Sequence, residues 1–313
     1  MIIDTTKISA SIWTKPMPLI ARLSFEERSA VVSEAATPGM CRRGILFVSE
    51  GRSDLAQRRV EAVTRRHPAL AVVELRTGDP LGTAMSIRDA LNSISLVDAI
   101  IDVTAFRREE LLMLLQVLRG IDSSKRRNCR LVYVAAGKMA DPLSGKVIQC
   151  RSVVGYAGEI WPRRPTTLVV LMGFEIPRAR AIIEAYEPRY LVLGRGRKSE
   201  SISDELSEKN DAFFQELASN YANIEHTFEF SARNPLLVAD ELEAAIPSEV
   251  RSNVVVAPLN TKLSTIGVGL FAQRKTDVQV CYAEVGAYNE ETYSTVGTKT
   301  YILSLTELFS QRR

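Results

Sequence analysis

The chain has 313 residues, 46% hydrophobic and 25% charged, which excludes disordered, collagen-like and coiled-coil classes and allows about two domains. Its net charge of +3 is too small to argue for nucleic acid by itself. Four scattered cysteines without a C-x-x-C pair and only two histidines (His67, His226) argue against zinc, a disulfide framework and histidine chemistry.

Apolar strands and helical patterns alternate along the chain. "RGILFVSE" (43–50) reads as a strand, followed by a helix that Ser53 or Asp54 caps. "LAVVEL" (70–75) and "DAIIDVT" (98–104) are further strands, each leading to a helix, the second being "REELLMLLQVLRG" closed by Gly120. "CRLVYVAA" (129–136) is a fourth strand. The order then restarts with "TTLVVLMGFE" (166–175), "YLVLGRG" (190–196), "EHTFEFS" (225–231), "NVVVAP" (253–258) and "DVQVCYAEV" (277–285), again separated by helices. Continuous apolar strands between helices predict α/β architecture with mainly parallel sheets covered on both faces, arranged as two tandem Rossmann-like halves.

An offset of 155 residues lays "DAIIDVTAFRREELLMLLQVL" over "NVVVAPLNTKLSTIGVGLFAQ", strand on strand and helix on helix, with Arg107 falling on Lys262. The expected organisation is an N-terminal arm at 1–42, a first half at 43–150 and a second half at 151–313. The Gly- and Pro-punctuated segment 137–165 serves as the connection.

In open parallel sheets ligands bind beyond the carboxyl ends of the strands, where helix N-termini offer N–H groups to phosphate. The polar candidates gather there: Ser49 and Arg52 after the first strand, then Asp102, Thr104 and Arg107. In the second half they are Gly173, Glu175, Arg178, Gly194, Arg195, Asn260, Thr261, Lys262 and Ser264. Thr261 and Ser264 also suit simple helix capping. Lys262 opposes the helix dipole in a first turn, which favours a compensating anion. Arg107 and Arg108 are in the same position, with Glu109 and Glu110 available to offset them. Tyr282, Tyr288 and Tyr293 could stack a base or close a domain. Neither G-x-x-x-x-G-K-[ST] nor G-x-G-x-x-G is present, so ATP hydrolysis and dinucleotide redox chemistry are not expected, and no metal or cofactor is.

A strand, a polar turn with Thr and Lys, a small-residue helix and a strand ending in Tyr resemble the CARF (CRISPR-associated Rossmann fold) family, whose turn is typically T-G-G-T-K. Asn260, Thr261 and Lys262 match that turn, and Asp102, Thr104 and Arg107 resemble its companion motif. Leu259 and Asn260 replace the glycines of the family turn. Two such halves also resemble the SAVED domain. The resemblance implies a sensor of cyclic oligonucleotides in antiviral defence, and the chain contains no effector signature of its own. Three readings follow: a nucleotide-binding sensor or adaptor, a ligand-free docking subunit of a multiprotein complex, and a slow metal-independent cyclic-nucleotide phosphodiesterase. Expected partners are a nucleotide second messenger and a separate effector protein or complex, with a homodimer as a further assembly. No apolar run approaches the ~18 residues of a membrane span and no signal-peptide pattern opens the chain, so the expected location is cytoplasmic, away from membranes.

Overall fold

The structure, a computed structural model, describes residues 1–201, 203–246, 251–291 and 293–310. In chain order the strands are β1 (Ile2–Asp4), β2 (Leu19–Arg22), β3 (Gly44–Ser49), β4 (Leu70–Leu75), β5 (Ile100–Asp102), β6 (Arg130–Met139), β7 (Val147–Ser152), β8 (Thr166–Leu171), β9 (Tyr190–Gly196), β10 (Ile224–Phe230), β11 (Asn253–Pro258), β12 (Gln279–Val285) and β13 (Ser294–Ser304). The helices are α1 (Ile8–Ile12), α2 (Val31–Glu34), α3 (Asp54–Arg66), α4 (Pro80–Asn92), α5 (Arg108–Gly120), α6 (Ile176–Tyr186), α7 (Asp204–Asn220), α8 (Pro235–Ala245), α9 (Lys262–Arg274) and α10 (Leu305–Ser310).

Two units result. The first comprises Met1–Asp141 and the segment from Asn289 onward, and the second comprises Pro142–Tyr288. The first unit holds a seven-stranded sheet of order β1-β13-β6-β5-β2-β3-β4, in which β2 to β6 run parallel and β13 and β1 are antiparallel additions. Counting its parallel strands from β2 gives the doubly wound order 3-2-1-4-5. The second unit holds the order β10-β9-β8-β11-β12-β7, which is again 3-2-1-4-5, with antiparallel β7 beyond the fifth strand. Each unit is therefore Rossmann-like. The 155-residue offset pairs true equivalents, since β5 with α5 and β11 with α9 are the fourth strand and its helix in their own sheets.

The chain divides differently from the expected boundaries at 42/43 and 150/151. Residues 1–42 are not an arm, because β2 is the central first strand of the first sheet and all four of its residues are buried. Four residues between Pro18 and a run of polar residues offer too little periodicity to read as a strand, and pairing on both sides supplies what local sequence does not. β7 lies within the presumed connection, and β13, with polar residues along much of its length, pairs with β6. The second unit is thus an insertion between β6 and β13 of the first.

Local chemistry explains the long helices. In α5, Leu111, Leu114, Leu115 and Leu118 repeat at helical spacing on the core side and are buried. The backbone N–H of Arg107 donates to the Glu110 carboxylate (2.7 Å), closing the first turn. Helix α9 is buried along Leu263–Ala272. Gly267 lets α9 approach α8 closely, since a Cβ there would lie 2.5 Å from the Val238 Cβ and 2.6 Å from the Pro235 carbonyl oxygen. The small-residue pattern of α9 is a packing signature.

Candidate functional site

Reversal of strand order opens a crevice between the first and fourth strands of each sheet, beyond their carboxyl ends. In the first unit these are β2 and β5, ending in Arg22 and Asp102. Arg22 is buried there. Its Nε lies 2.6 Å from the Glu110 carboxylate, its Nη2 donates to Ser49 Oγ (2.6 Å), and its Nη1 donates to the Ala105 carbonyl (3.3 Å). Among the predicted residues, Ser49 accepts this bond and Arg107 begins the helix that carries Glu110. Arg52 turns to Gln57, Glu74 and the Ser49 carbonyl.

Asp102 is fully buried. Its Oδ1 accepts the Thr104 N–H (3.0 Å), while its Oδ2 has no hydrogen-bond partner. Burial pushes its pKa up to about 7; bonds from the Thr104 hydroxyl and N–H, and the charge of Arg28, oppose the rise. Thr104 Oγ1 also accepts the Val134 N–H (3.0 Å). Beside them Arg28 donates to the Val134 carbonyl (2.8 Å), to Ser294 Oγ (3.0 Å) and to the Glu26 carboxylate (2.5 Å). Burial, the largest single effect, acts to lower the Arg28 pKa, but the charge of Glu26, the neighbouring Tyr133 and Tyr293 and the bond to Glu26 together outweigh it and raise it.

In the second unit the crevice lies between β8 and β11. The chains approach so closely that a Cβ on Gly173 would fall 1.8 Å from the Leu259 carbonyl oxygen. Asn260 is buried, donates to the Met172 carbonyl (2.5 Å) and accepts the Thr261 N–H (2.9 Å). Asn210 of α7 donates to the Gly173 carbonyl (2.9 Å). Thr261 is the N-cap of α9: its Oγ1 accepts the Ser264 N–H (3.1 Å) and donates to the Ala232 carbonyl (2.7 Å), and the Ser264 hydroxyl donates to the Thr261 carbonyl (2.9 Å). The polar turn thus locks its own helix and ties β8 and the segment after β10 to it. Lys262, half-buried, opens α9.

The remaining candidates form separate groups. Glu175 pairs with Arg178 (3.1 Å) and accepts from Ser144. Gly194 and Arg195 belong to β9, which Gly196 ends. Gly194 faces the Phe228 ring, and Arg195 is held by Asp211 (2.6 Å) and Glu229 (2.8 Å). A cleft of about 100 Å³ beside them is lined by Arg195, Lys198, Asn210 and Asp211, among others, below the ~300 Å³ of an ordinary small-molecule pocket. Among the described residues, no cluster of histidine, cysteine and carboxylate suits a metal ion.

The candidates therefore do not form one site per unit: each crevice has its own small group, while Glu175 with Arg178 and Gly194 with Arg195 are held by other partners. Sequence reasoning missed Arg22, Glu26, Arg28 and Asn210. The run "RLSFEER", directly after "LIA", carried the signal for the first three, but it was legible only with β2 recognised as a strand.

No protein-family model matches the chain, and no characterised protein matches it in sequence. Among solved structures, the cytoplasmic domain of a prokaryotic cation chloride cotransporter is similar at a TM-score of 0.25 and 10% identity, over 90% of this chain and 98% of that one. A likeness that weak carries no argument. Among the described residues no helix is long and apolar enough to cross a membrane.

Proposed function

We propose that this protein is a docking subunit, a pair of Rossmann-like units whose ligand crevices are closed by their own side chains and whose surfaces serve a protein partner. The observation that carries the reading is the Arg22–Glu110 pair at the first crevice, with Ser49 bound to the same guanidinium. The Asn260 and Thr261 bonds at the second crevice support it. A buried guanidinium already ion-paired with a carboxylate and hydrogen-bonded to a hydroxyl and a carbonyl makes an incoming phosphate compete with those partners. Co-expression with the products of neighbouring genes tests the idea. A complex that survives gel filtration in 0.5 M salt supports it, and elution of the protein alone overturns it.

A second reading, a sensor of a phosphate-bearing nucleotide such as a cyclic oligonucleotide in defence signalling, is favoured by one observation. Arg107, the N-cap of α5, and Lys262, the first residue of α9, each stand within one residue of where the helix after the fourth strand begins. Thermal shift against cyclic di-, tri- and tetranucleotides separates the two. A ligand at 100 times its Kd adds about 2.7 kcal/mol. A raised Tm that Lys262→Ala abolishes replaces the docking reading with the sensor.

A further inference from the structure

The edge of the first unit opposite its crevice has a different electrostatic character. Because β2 to β6 are parallel, the segments that enter them share one edge, and the C-termini of α3 and α5 reach the same edge. Arg42 and Arg43 lead into β3, Arg65 lies in the last turn of α3 before β4, and Lys125 and Arg127 lead into β6. All five are exposed. Two carboxylates lie nearby: Asp98, paired with Lys15 (2.7 Å) and bonded by Asn128 (3.0 Å), and Asp122, which accepts the N–H (2.7 Å) and hydroxyl (2.6 Å) of Ser124. Each feels the charge of a basic neighbour, Arg127 and Lys125 respectively, so the edge keeps three further positive charges in Arg42, Arg43 and Arg65. Among the described residues, none of the five basic side chains is within ion-pairing distance of an acid. The second unit differs, since its Arg180, Arg274 and Lys275 are paired with Glu216, Asp240 and Glu243.

The geometry points to this edge as a sequence-independent contact surface for the phosphate backbone of double-stranded nucleic acid. It is a partner beyond the docking role, and the inference does not rest on that role. β6 and β3 are three strand spacings apart, about 14 Å at ~4.8 Å each. The two basic clusters are therefore separated by close to the ~12 Å width of a B-form major groove, so one can meet each flanking strand. Four of the five are arginines, whose planar fork suits phosphate oxygens. No large exposed apolar side chain lies in the segments 34–43, 64–69 or 119–130, so nothing is placed to stack on a base or enter a bilayer. Contact is confined to phosphates, which carry affinity without sequence information.

The test is fluorescence anisotropy of the full chain with a random-sequence 30-base-pair DNA duplex at 50 and 200 mM salt. With about four phosphate contacts, affinity is expected to fall about 100-fold across that range. Arg42→Glu/Arg43→Glu and Lys125→Glu/Arg127→Glu are each expected to weaken binding at least tenfold. Arg76→Glu/Lys198→Glu carries the same charge change away from this edge and is expected to alter it less than threefold. All substituted side chains are exposed, so an unchanged Tm confirms folding of each variant. Absence of binding at 50 mM salt overturns the proposal, as does equal loss in all three variants. Binding to phosphatidylserine vesicles in place of the duplex, lost in the same edge variants, overturns it in favour of an anionic membrane.

Discussion

Arg22 and Glu110 form an ion pair with a 2.6 Å contact, their side chains 4% and 8% exposed, at the point where a doubly wound sheet ordinarily receives its ligand. Neither charge is solvated, so each depends on the other. Glu110→Gln is expected to lower stability by about 3–5 kcal/mol, because it leaves the guanidinium buried without its counter-charge. Arg22→Met combined with Glu110→Leu is expected to recover most of that loss. Urea denaturation of the three proteins measures it, and equal losses in the single and double variants would show that the two side chains are not coupled.

Asp102 links stability to pH. Its folded pKa of about 7 lies above the ordinary carboxylate value, so the folded state binds a proton that the unfolded state has released between about pH 4 and pH 7. In that window this group lowers stability as pH rises, and above pH 7 its contribution levels off. Asp102→Asn removes the ionisation. The stability of this variant relative to the parent is expected to be more favourable at pH 8 than at pH 5, by at least about 1 kcal/mol. Denaturant titrations at the two pH values check this, and a pH-independent difference would place the titration elsewhere.

Gly173 faces the Leu259 carbonyl with no room for a methyl group. Gly173→Ala is expected to cost about 1–3 kcal/mol as β8 and β11 are forced apart at their ends. Gly39, by contrast, has open space around it but a φ of +87°, so an alanine there would meet backbone strain instead of a clash. Thermal unfolding of the two variants compares the effects.

The insertion of the second unit predicts that it can be excised. Its ends are drawn together by the antiparallel bridge of Ser144 with Tyr288 and by the β7–β12 pairing of Val147 with Val285. The fragment 142–288 is expected to unfold cooperatively by itself. The first unit is expected to fold once a short turn joins Met139 to Ser294, which already face each other across β6 and β13. A fragment 1–150 lacks β13 and is expected to aggregate, because the edge of β6 is left bare. Circular dichroism melts and gel filtration separate these outcomes.

Cys41, Cys129 and Cys281 are buried and free, and burial pushes their thiols up, to about 12 for Cys41 and Cys129. They are expected to react with a disulfide reagent only on the timescale of unfolding. Rapid labelling in native buffer would show that the packing around them opens.

Much of the fold is written into local sequence. The apolar runs at 44–49, 166–171 and 190–196 are buried along most of their length inside parallel sheets, so they read without ambiguity, and the edge strand at 70–75 reads from its apolar composition although its middle is exposed. The 155-residue offset between the fourth strands was legible for the same reason. β2, β7 and β13 were not, because they are short or polar and their partners lie far along the chain. Only tertiary pairing decided that residues 19–22 form the centre of the first sheet and that 294–304 return to it. The site followed the same division. Sequence placed Asn260, Thr261 and Lys262 at a strand end, where a polar residue can serve either a ligand or the helix. The fold committed Asn260 to the Met172 carbonyl and Thr261 to the Ser264 amide and Ala232 carbonyl. The Ser264 bond is the local cap that the sequence already suited, but Met172 and Ala232 lie 88 and 29 residues away, and no local pattern specifies a bond of that reach.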